Sequence, residues 1–219
     1  VIGGGPAGMK AALVACGRGH EVTLFEKSGS LGGALHFSDF VSFKYALRNY
    51  KDYLVKQVLN QPAIQLRLNT EATPELLGAA FDAVLIAIGA SPLLLPIPGF
   101  CAENGLFAQE VYGQEEKIGK SALIIGGGQV GCETALHLTE KGIQVTIVEM
   151  RETLCPDASP ACGDELRILL AENSLFTALC GARCTEIQKG KATCLTFDGQ
   201  VHTLTADTLI YAAGMKART

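Results

Sequence analysis

Apolar positions along this chain change their period several times, and each change predicts a new element. The chain opens on an apolar stub, Val1-Ile2, and runs at once into a glycine-rich turn from Gly3 to Gly8. Pro6 suits the first position of a helix, where its missing N–H costs nothing. That helix carries Met9, Ala12, Leu13 and Cys16 and stops near Gly17 and Gly19. Glu21-Val-Thr-Leu-Phe-Glu26 follows as a buried strand. Within Phe40 to Val58, the apolar residues Phe43, Leu47, Tyr50, Leu54 and Val58 keep helical spacing. Ile64 to Leu68 alternates as a short strand. Leu93-Leu-Leu-Pro-Ile-Pro-Gly99 is an extended, proline-rich crossover. Leu123-Ile-Ile125 is a strand, Val130 to Lys141 a helix capped by Gly142, and Gln144 to Glu149 another strand. Leu166 to Glu172 reads as a helix. Ala192–Phe197 and Gln200–Leu204 flank Asp198-Gly199, a strong hairpin signal.

Slid against itself by 123 residues, the sequence aligns without a gap. Gly3, Gly5 and Gly8 fall on Gly126, Gly128 and Gly131, Glu26 on Glu149, and Leu31 on Leu154. At an offset of 125, Asp82-Ala-Val-Leu-Ile-Ala-Ile-Gly89 falls on Asp207-Thr-Leu-Ile-Tyr-Ala-Ala-Gly214. Two domain-sized copies of one β-α-β unit are predicted, not a solenoid. The fold class is α/β, with two tandem Rossmann-like dinucleotide-binding domains and mostly parallel sheets. The boundary lies near residues 97–118, giving domains 1–105 and 106–219.

Each copy has the spacing G-x-G-x-x-G. The first glycine permits the tight strand-to-helix turn, and the second lets backbone N–H groups reach a pyrophosphate. The third lets helix and strand pack closely, with the helix N-terminus facing the anion. An acidic residue follows 23 residues after the first glycine in both copies, Glu26 and Glu149. A carboxylate there can accept hydrogen bonds from a ribose diol. Leu31-Gly32-Gly33 adds a second glycine pair that lets backbone approach a bulky ligand. Ala87-Ile-Gly89 and Ala212-Ala-Gly214 end strands with small residues at the carboxyl edge, where open α/β sheets bind ligands.

Composition narrows this further. Hydrophobic residues make up 48% of the 219 and charged residues 18%, which excludes a disordered chain. A net charge of −4 offers no electrostatic footprint for nucleic acid or an acidic membrane. The longest apolar run, Ala83–Phe100, is broken by Gly89, Pro92, Pro96 and Pro98 and is too short to span a bilayer. Val1-Ile2-Gly3 has no basic region of the kind that opens a signal peptide. The eight cysteines include no C-x-x-C; the closest pair, Cys180 and Cys184, has no partners for a zinc site. Free thiols and a cytoplasmic location are expected. No metal site and no catalytic side chain are expected, and of the histidines only His36, just after the glycine pair, is placed to approach a ligand.

The run Gly-Gly-Gly-Pro-Ala-Gly, Glu26-Lys27, Leu31-Gly32-Gly33, a strand ending Ala-x-Gly-Ala-x-Pro and a second Gly-Gly-Gly-x-x-Gly resembles the pyridine nucleotide–disulfide oxidoreductase superfamily. More narrowly, it is similar to the C-terminal region of 2,4-dienoyl-CoA reductase, enoate reductase and trimethylamine dehydrogenase. The resemblance implies FAD in the first copy. Gly3, Gly5, Pro6, Ala7 and Gly8 would lie under its pyrophosphate, and Glu26 would hold the ribose with Lys27 beside it. Gly33 would pass near the flavin side, Ala72 near adenine, and Ala87 and Gly89 near the ligand. In the second copy it implies NAD(P)H. Gly126, Gly128, Gln129, Val130 and Gly131 would cradle the pyrophosphate, Glu149 would hold the ribose, and Gly214 would line the site. NADH is expected over NADPH, because the Glu149 carboxylate would repel a 2′-phosphate; Arg151 works against that preference and Glu152 offsets Arg151. ADP in place of FAD is the alternative for the first site, as in a structural module. The redox Cys pair of disulfide-type members is missing. The resemblance also implies an incomplete first domain and, as partner, an N-terminal FMN and iron–sulfur barrel of a larger flavoenzyme.

Overall fold

The structure, a computed structural model, describes residues 1–78 and 81–218. These fall into two units, Val1–Ser91 with the final residues from Ala217, and Pro92–Lys216.

In the first unit, helix α1 (Pro6–Gly17) leads to strand β1 (Val22–Phe25), helix α2 (Tyr45–Leu59), strand β2 (Ile64–Arg67), the single turn α3 (Pro74–Leu77) and strand β3 (Ala90–Pro92), which runs into the second unit. β1 and β2 pair in parallel, and Ile2 bridges both Phe25 and Ile86 in the same sense. The lane order is therefore Ile86, Ile2, β1, β2. Met9 and Ala12 of α1, Leu54 and Val58 of α2, and Leu24 and Ile64 of the strands form the core. Two expectations fail here. Leu47 and Tyr50 do not face inward; they are exposed, and Lys51 is buried in their stead, paired with Asp39 and Asp52. A buried ammonium is tolerated because both carboxylates reach it. The run Asp82–Gly89 is no continuous strand, and Val84, Leu85 and Ile86 are exposed.

The second unit shows what the same lane becomes when it is covered. Its elements are β4 (Leu106–Phe107), β5 (Ser121–Ile125), α4 (Gln129–Glu140), β6 (Gln144–Val148), α5 (Pro160–Ala171), β7 (Phe176–Leu179), β8 (Ala182–Gln188), β9 (Lys191–Thr196), β10 (Val201–Thr205), β11 (Thr208–Tyr211) and β12 (Met215–Ala217) at its end. Five strands form a parallel sheet in the order β4-β11-β5-β6-β7. Tyr211 pairs with Ile125 and Ile125 with Val148, so Ile86, Ile2 and Phe25 of the first unit repeat the register residue for residue. β8, β9 and β10 form an antiparallel meander. Its Ala182, Ile187, Ala192 and Cys194 pack on Leu123, Val148, Leu209 and Tyr211, which closes the core over the sheet.

The division at Ser91 and Pro92 precedes the boundary expected at 105 and 106. Residues 92–105 pack on the second unit: Phe100 stacks on Tyr211 with ring centroids 4.0 Å apart, and the Ile187 N–H donates to the Pro98 carbonyl at 2.8 Å.

Candidate functional site

Each unit turns from strand to helix through three consecutive glycines, and each glycine has a separate physical reason. Gly3 and Gly126 have φ of +103° and +111°, where L side chains are strained. A Cβ on them would also stand 2.3 Å from the Ala87 carbonyl oxygen and 2.5 Å from that of Ala212. Gly8 and Gly131 lie in the first helical turns. A Cβ there would come within 1.8 Å of the Gly3 carbonyl oxygen and 2.0 Å of the Gly126 one. Gly5 and Gly128 cap the helices, and they differ from the rest. Nothing lies within 4 Å of a Cβ on Gly128, and only the Gly33 Cα, at 3.9 Å, approaches one on Gly5. Two glycines of the motif are thus demanded by the fold, and the remaining one faces open space. A glycine that packing does not require leaves room for backbone to meet a ligand.

The middle glycines, Gly4 and Gly127, were not singled out by the G-x-G-x-x-G spacing, although three glycines in a row in both copies was the available signal. A Cβ on either would strike a leucine, Leu31 or Leu154, and crowd the acidic residue at the strand end. Their N–H groups donate to that residue: Gly4 to Glu26 Oε2 and Gly127 to Glu149 Oε2, both at 2.6 Å. The other carboxylate oxygens accept from Ser28 N–H and Arg151 N–H, both at 2.8 Å. The carbonyls of Gly4 and Gly127 in turn accept from Gly32 N–H at 2.9 Å and Cys155 N–H at 2.8 Å. Each carboxylate therefore ties the glycine turn to the chain beyond the next strand. Two of its roughly four lone-pair sites are taken, which leaves acceptor capacity for two hydroxyls. Burial works to raise the Glu26 pKa, but the hydrogen bonds from Ser28 and Gly4 and the nearby Lys27 charge bring it below its ordinary value.

The remaining expected residues cluster around these turns. Pro6, Ala7 and Gly8 form the first turn of α1, and Gln129, Val130 and Gly131 that of α4, where N–H groups lack intrahelical acceptors. Val130 is exposed, and the Gln129 amide donates to Glu133 at 2.7 Å. Gly33 closes on the first turn so tightly that a Cβ on it would meet the Gly5 Cα at 2.8 Å. Lys27 is exposed and Ala72 half-buried in the loop before α3. Ala87 donates its N–H to the Ile2 carbonyl, and Gly89 and Gly214 take φ of +74° and +110° with open space at their Cβ positions. His36 contacts the Ser30 hydroxyl at 3.3 Å and Asp39 at 3.5 Å. In the second unit a cavity of about 380 Å³ opens beside the turn, with Gly126, Gly128, Glu149, Ala212 and Gly214 on its wall, and also Arg151, Asp157 and Cys184. The Arg151 guanidinium donates to Asp157 at 2.8 Å. Among the described residues no helix is long and apolar enough to cross a membrane.

Known proteins repeat this arrangement. The profile of the pyridine nucleotide-disulphide oxidoreductase family matches residues 1–219. The chain is 36% identical over 223 residues to a cinnamate reductase of Clostridium sporogenes, covering 98% of this chain and 32% of that protein. It is 35% identical over 217 residues to a bilirubin reductase of Mediterraneibacter gnavus, covering 99% and 33%. A solved 2-naphthoyl-CoA reductase superposes with a TM-score of 0.90 at 30% identity, over 99% of this chain and 33% of that one. The chain thus spans about a third of the length of these relatives.

Proposed function

Because the chain belongs to the pyridine nucleotide-disulphide oxidoreductase family, we propose that it is the electron-input part of a flavin-dependent reductase. The first unit takes FAD and the second takes NADH. The observation that carries this reading is the open space at Gly5 and Gly128, set in turns whose other glycines the fold itself demands. NADH held there would supply a hydride and FAD would accept it, which is chemistry the cofactors carry themselves.

The protein's share is grip and orientation. In the first unit Gly5, Ala7 and Gly8 present backbone to a pyrophosphate at a helix N-terminus, and Glu26 accepts from ribose hydroxyls. Gly128, Gln129, Val130 and Gly131 do the same in the second unit, with Glu149 on the ribose. The Glu149 carboxylate sets the nucleotide preference. A 2′-phosphate 4 Å from it meets a repulsion of about 4 kcal/mol at an effective dielectric near 20. Arg151 and Arg183 are the cations on the wall of the cavity beside this turn, and Arg151 is already paired with Asp157. Breaking an exposed pair of that kind costs only about 0–1 kcal/mol, so Arg151 is readily freed and works against the preference that Glu149 sets. Electrons leave for a partner that holds the substrate; the resemblance names an FMN and iron–sulfur barrel for that role.

Calorimetric titration of the chain with NADH and with NADPH tests the second site. NADH is expected to bind at least tenfold tighter, and equal or tighter NADPH binding overturns the assignment. Visible flavin absorbance of the purified protein tests the first, where recovery of ADP alone would replace FAD by the structural alternative.

A further inference from the structure

Cys180 is the cysteine nearest to Cys184 in the sequence, but the fold sets a different one beside it. In the antiparallel β8–β9 ladder, Cys184 stands directly opposite Cys194. Directly opposed residues of such a ladder have Cα atoms about 4.5–5.5 Å apart, inside the roughly 4.4–6.8 Å window a disulfide spans. The two side chains share one face of the meander, where Cys194 is fully buried in the core and Cys184 packs beside it. Cys184 is half-buried and forms part of the wall of the cavity next to the second glycine turn. The ladder makes a β-bulge between Cys184 and Glu186, which loosens β8 where a sulfur would have to turn.

We propose that Cys184 and Cys194 form a dithiol site that is oxidised to a reversible disulfide through the nucleotide cavity, with a small organic disulfide as the oxidant. The Cys184 thiolate, its proton lost to water, attacks one sulfur of the disulfide RSSR and expels RS⁻. The mixed disulfide Cys184–S–SR forms. The Cys194 sulfur then attacks the Cys184 sulfur and expels the second RS⁻, and the Cys194 proton goes to that leaving group. Two protein thiols lose two electrons and RSSR gains them. The division of labour follows from the geometry, since the attacking sulfur must be the accessible one and the resolving sulfur needs only its neighbour. Hydrogen bonding from Cys194 holds the Cys184 thiol below its ordinary pKa despite burial, while the same bond and burial raise Cys194. A second pair, Cys132 and Cys155, also lies in contact and Cys155 borders a separate cavity, but both residues are buried, at 0% and 2% exposure, whereas Cys184 is half-buried.

That entry runs through the cavity rests on the nucleotide reading above; the bridge itself rests only on the ladder. The chain is treated with excess 2-hydroxyethyl disulfide, and its intact mass and peptide map are followed. Loss of two hydrogens mapped to Cys184–Cys194 is expected, with reversal by dithiothreitol. Cys194→Ala should stop at a mixed disulfide on Cys184, and Cys184→Ser should leave Cys194 unmodified. A bridge mapped to any other pair, or a wild-type mixed disulfide that persists on Cys184, overturns the proposal. In a second arm, NAD⁺ at about a hundred times its Kd should slow bridging about a hundredfold, since only unliganded protein reacts. An unchanged rate with NAD⁺ shown by calorimetry to be bound overturns entry through the cavity. If NAD⁺ does not bind at all, the nucleotide reading falls, and the bridge is judged by the first arm.

Discussion

Replacing Gly128 and Gly131 by alanine, one at a time, separates what the fold needs from what the ligand needs within three residues of chain. At Gly128 the backbone has φ −68° and ψ −178°, which any residue adopts, and a methyl group meets nothing within 4 Å. Alanine there gains about 0.4–1 kcal/mol by restricting the unfolded chain. It loses roughly the same amount, because alanine caps a helix less well than glycine. The net change is near zero, and the melting temperature should move by less than about 2 °C. Gly131 gives the opposite result. Inside a helix, alanine is intrinsically better than glycine by about 1 kcal/mol, yet its methyl group would lie 2.0 Å from the Gly126 carbonyl oxygen and 3.3 Å from the Ala212 Cβ. Backbone cannot step aside as a side chain does, so helix and strand must separate. Overpacking of this kind costs about 1–3 kcal/mol, or roughly 2–12 °C in a chain of this size. Differential scanning calorimetry and NADH titration are read together. Gly128→Ala should keep its stability and lose NADH affinity at least tenfold, whereas Gly131→Ala should lose stability first. A Gly128→Ala protein that melts several degrees lower, or that binds NADH as the wild type does, would refute the reasoning.

Other perturbations address the carboxylates and a half-buried tyrosine. Glu149→Gln should cost about 1–3 kcal/mol in urea unfolding, since one of the two backbone N–H donors on this buried residue would then face an amide NH₂. Glu26 has a folded pKa below its unfolded value, so its stabilisation is present above about pH 4.3 and is lost as the pH falls through the folded value. Glu26→Gln should flatten that acid limb relative to wild type in pH-resolved melting curves. The Tyr112 phenol is pushed up to about 12, first by burial and then by the Glu133 and Glu115 charges. A near-ultraviolet titration should therefore show a last phenolate step that Tyr112→Phe removes.

Much of this arrangement was legible because the signals were local and occurred twice. The glycine turns, the strands ending at Glu26 and Glu149 and the hairpin at Asp198-Gly199 all read from a few adjacent residues. β8 did not, because Arg183, Thr185 and Glu186 interrupt its apolar positions and its burial comes from packing across the sheet. The burial of Lys51 depends on Asp39, a residue of a different segment. Ile86 repeats the register of Tyr211 but not its burial, because β4 and the meander flank and cover that lane in the second unit, and no equivalents do so among the described residues of the first. The contact of Cys184 with Cys194 needs the ladder register, which a bulge shifts and no spacing rule supplies.

The grip of Glu149 on Gly127 and Arg151 limits how this protein could change its coenzyme over evolutionary time. On the NADH assignment proposed above, the shortest mutational path to NADPH replaces the Glu149 carboxylate, but here that carboxylate also holds the turn together. A lineage taking that path would lose stability before gaining the new coenzyme. Selection would act more easily on the two side chains just beyond, Met150, which is exposed, and Arg151, which a change at Asp157 would free. Cofactor exchange in this unit is therefore expected to start at residues 150, 151 and 157 and to leave position 149 until last.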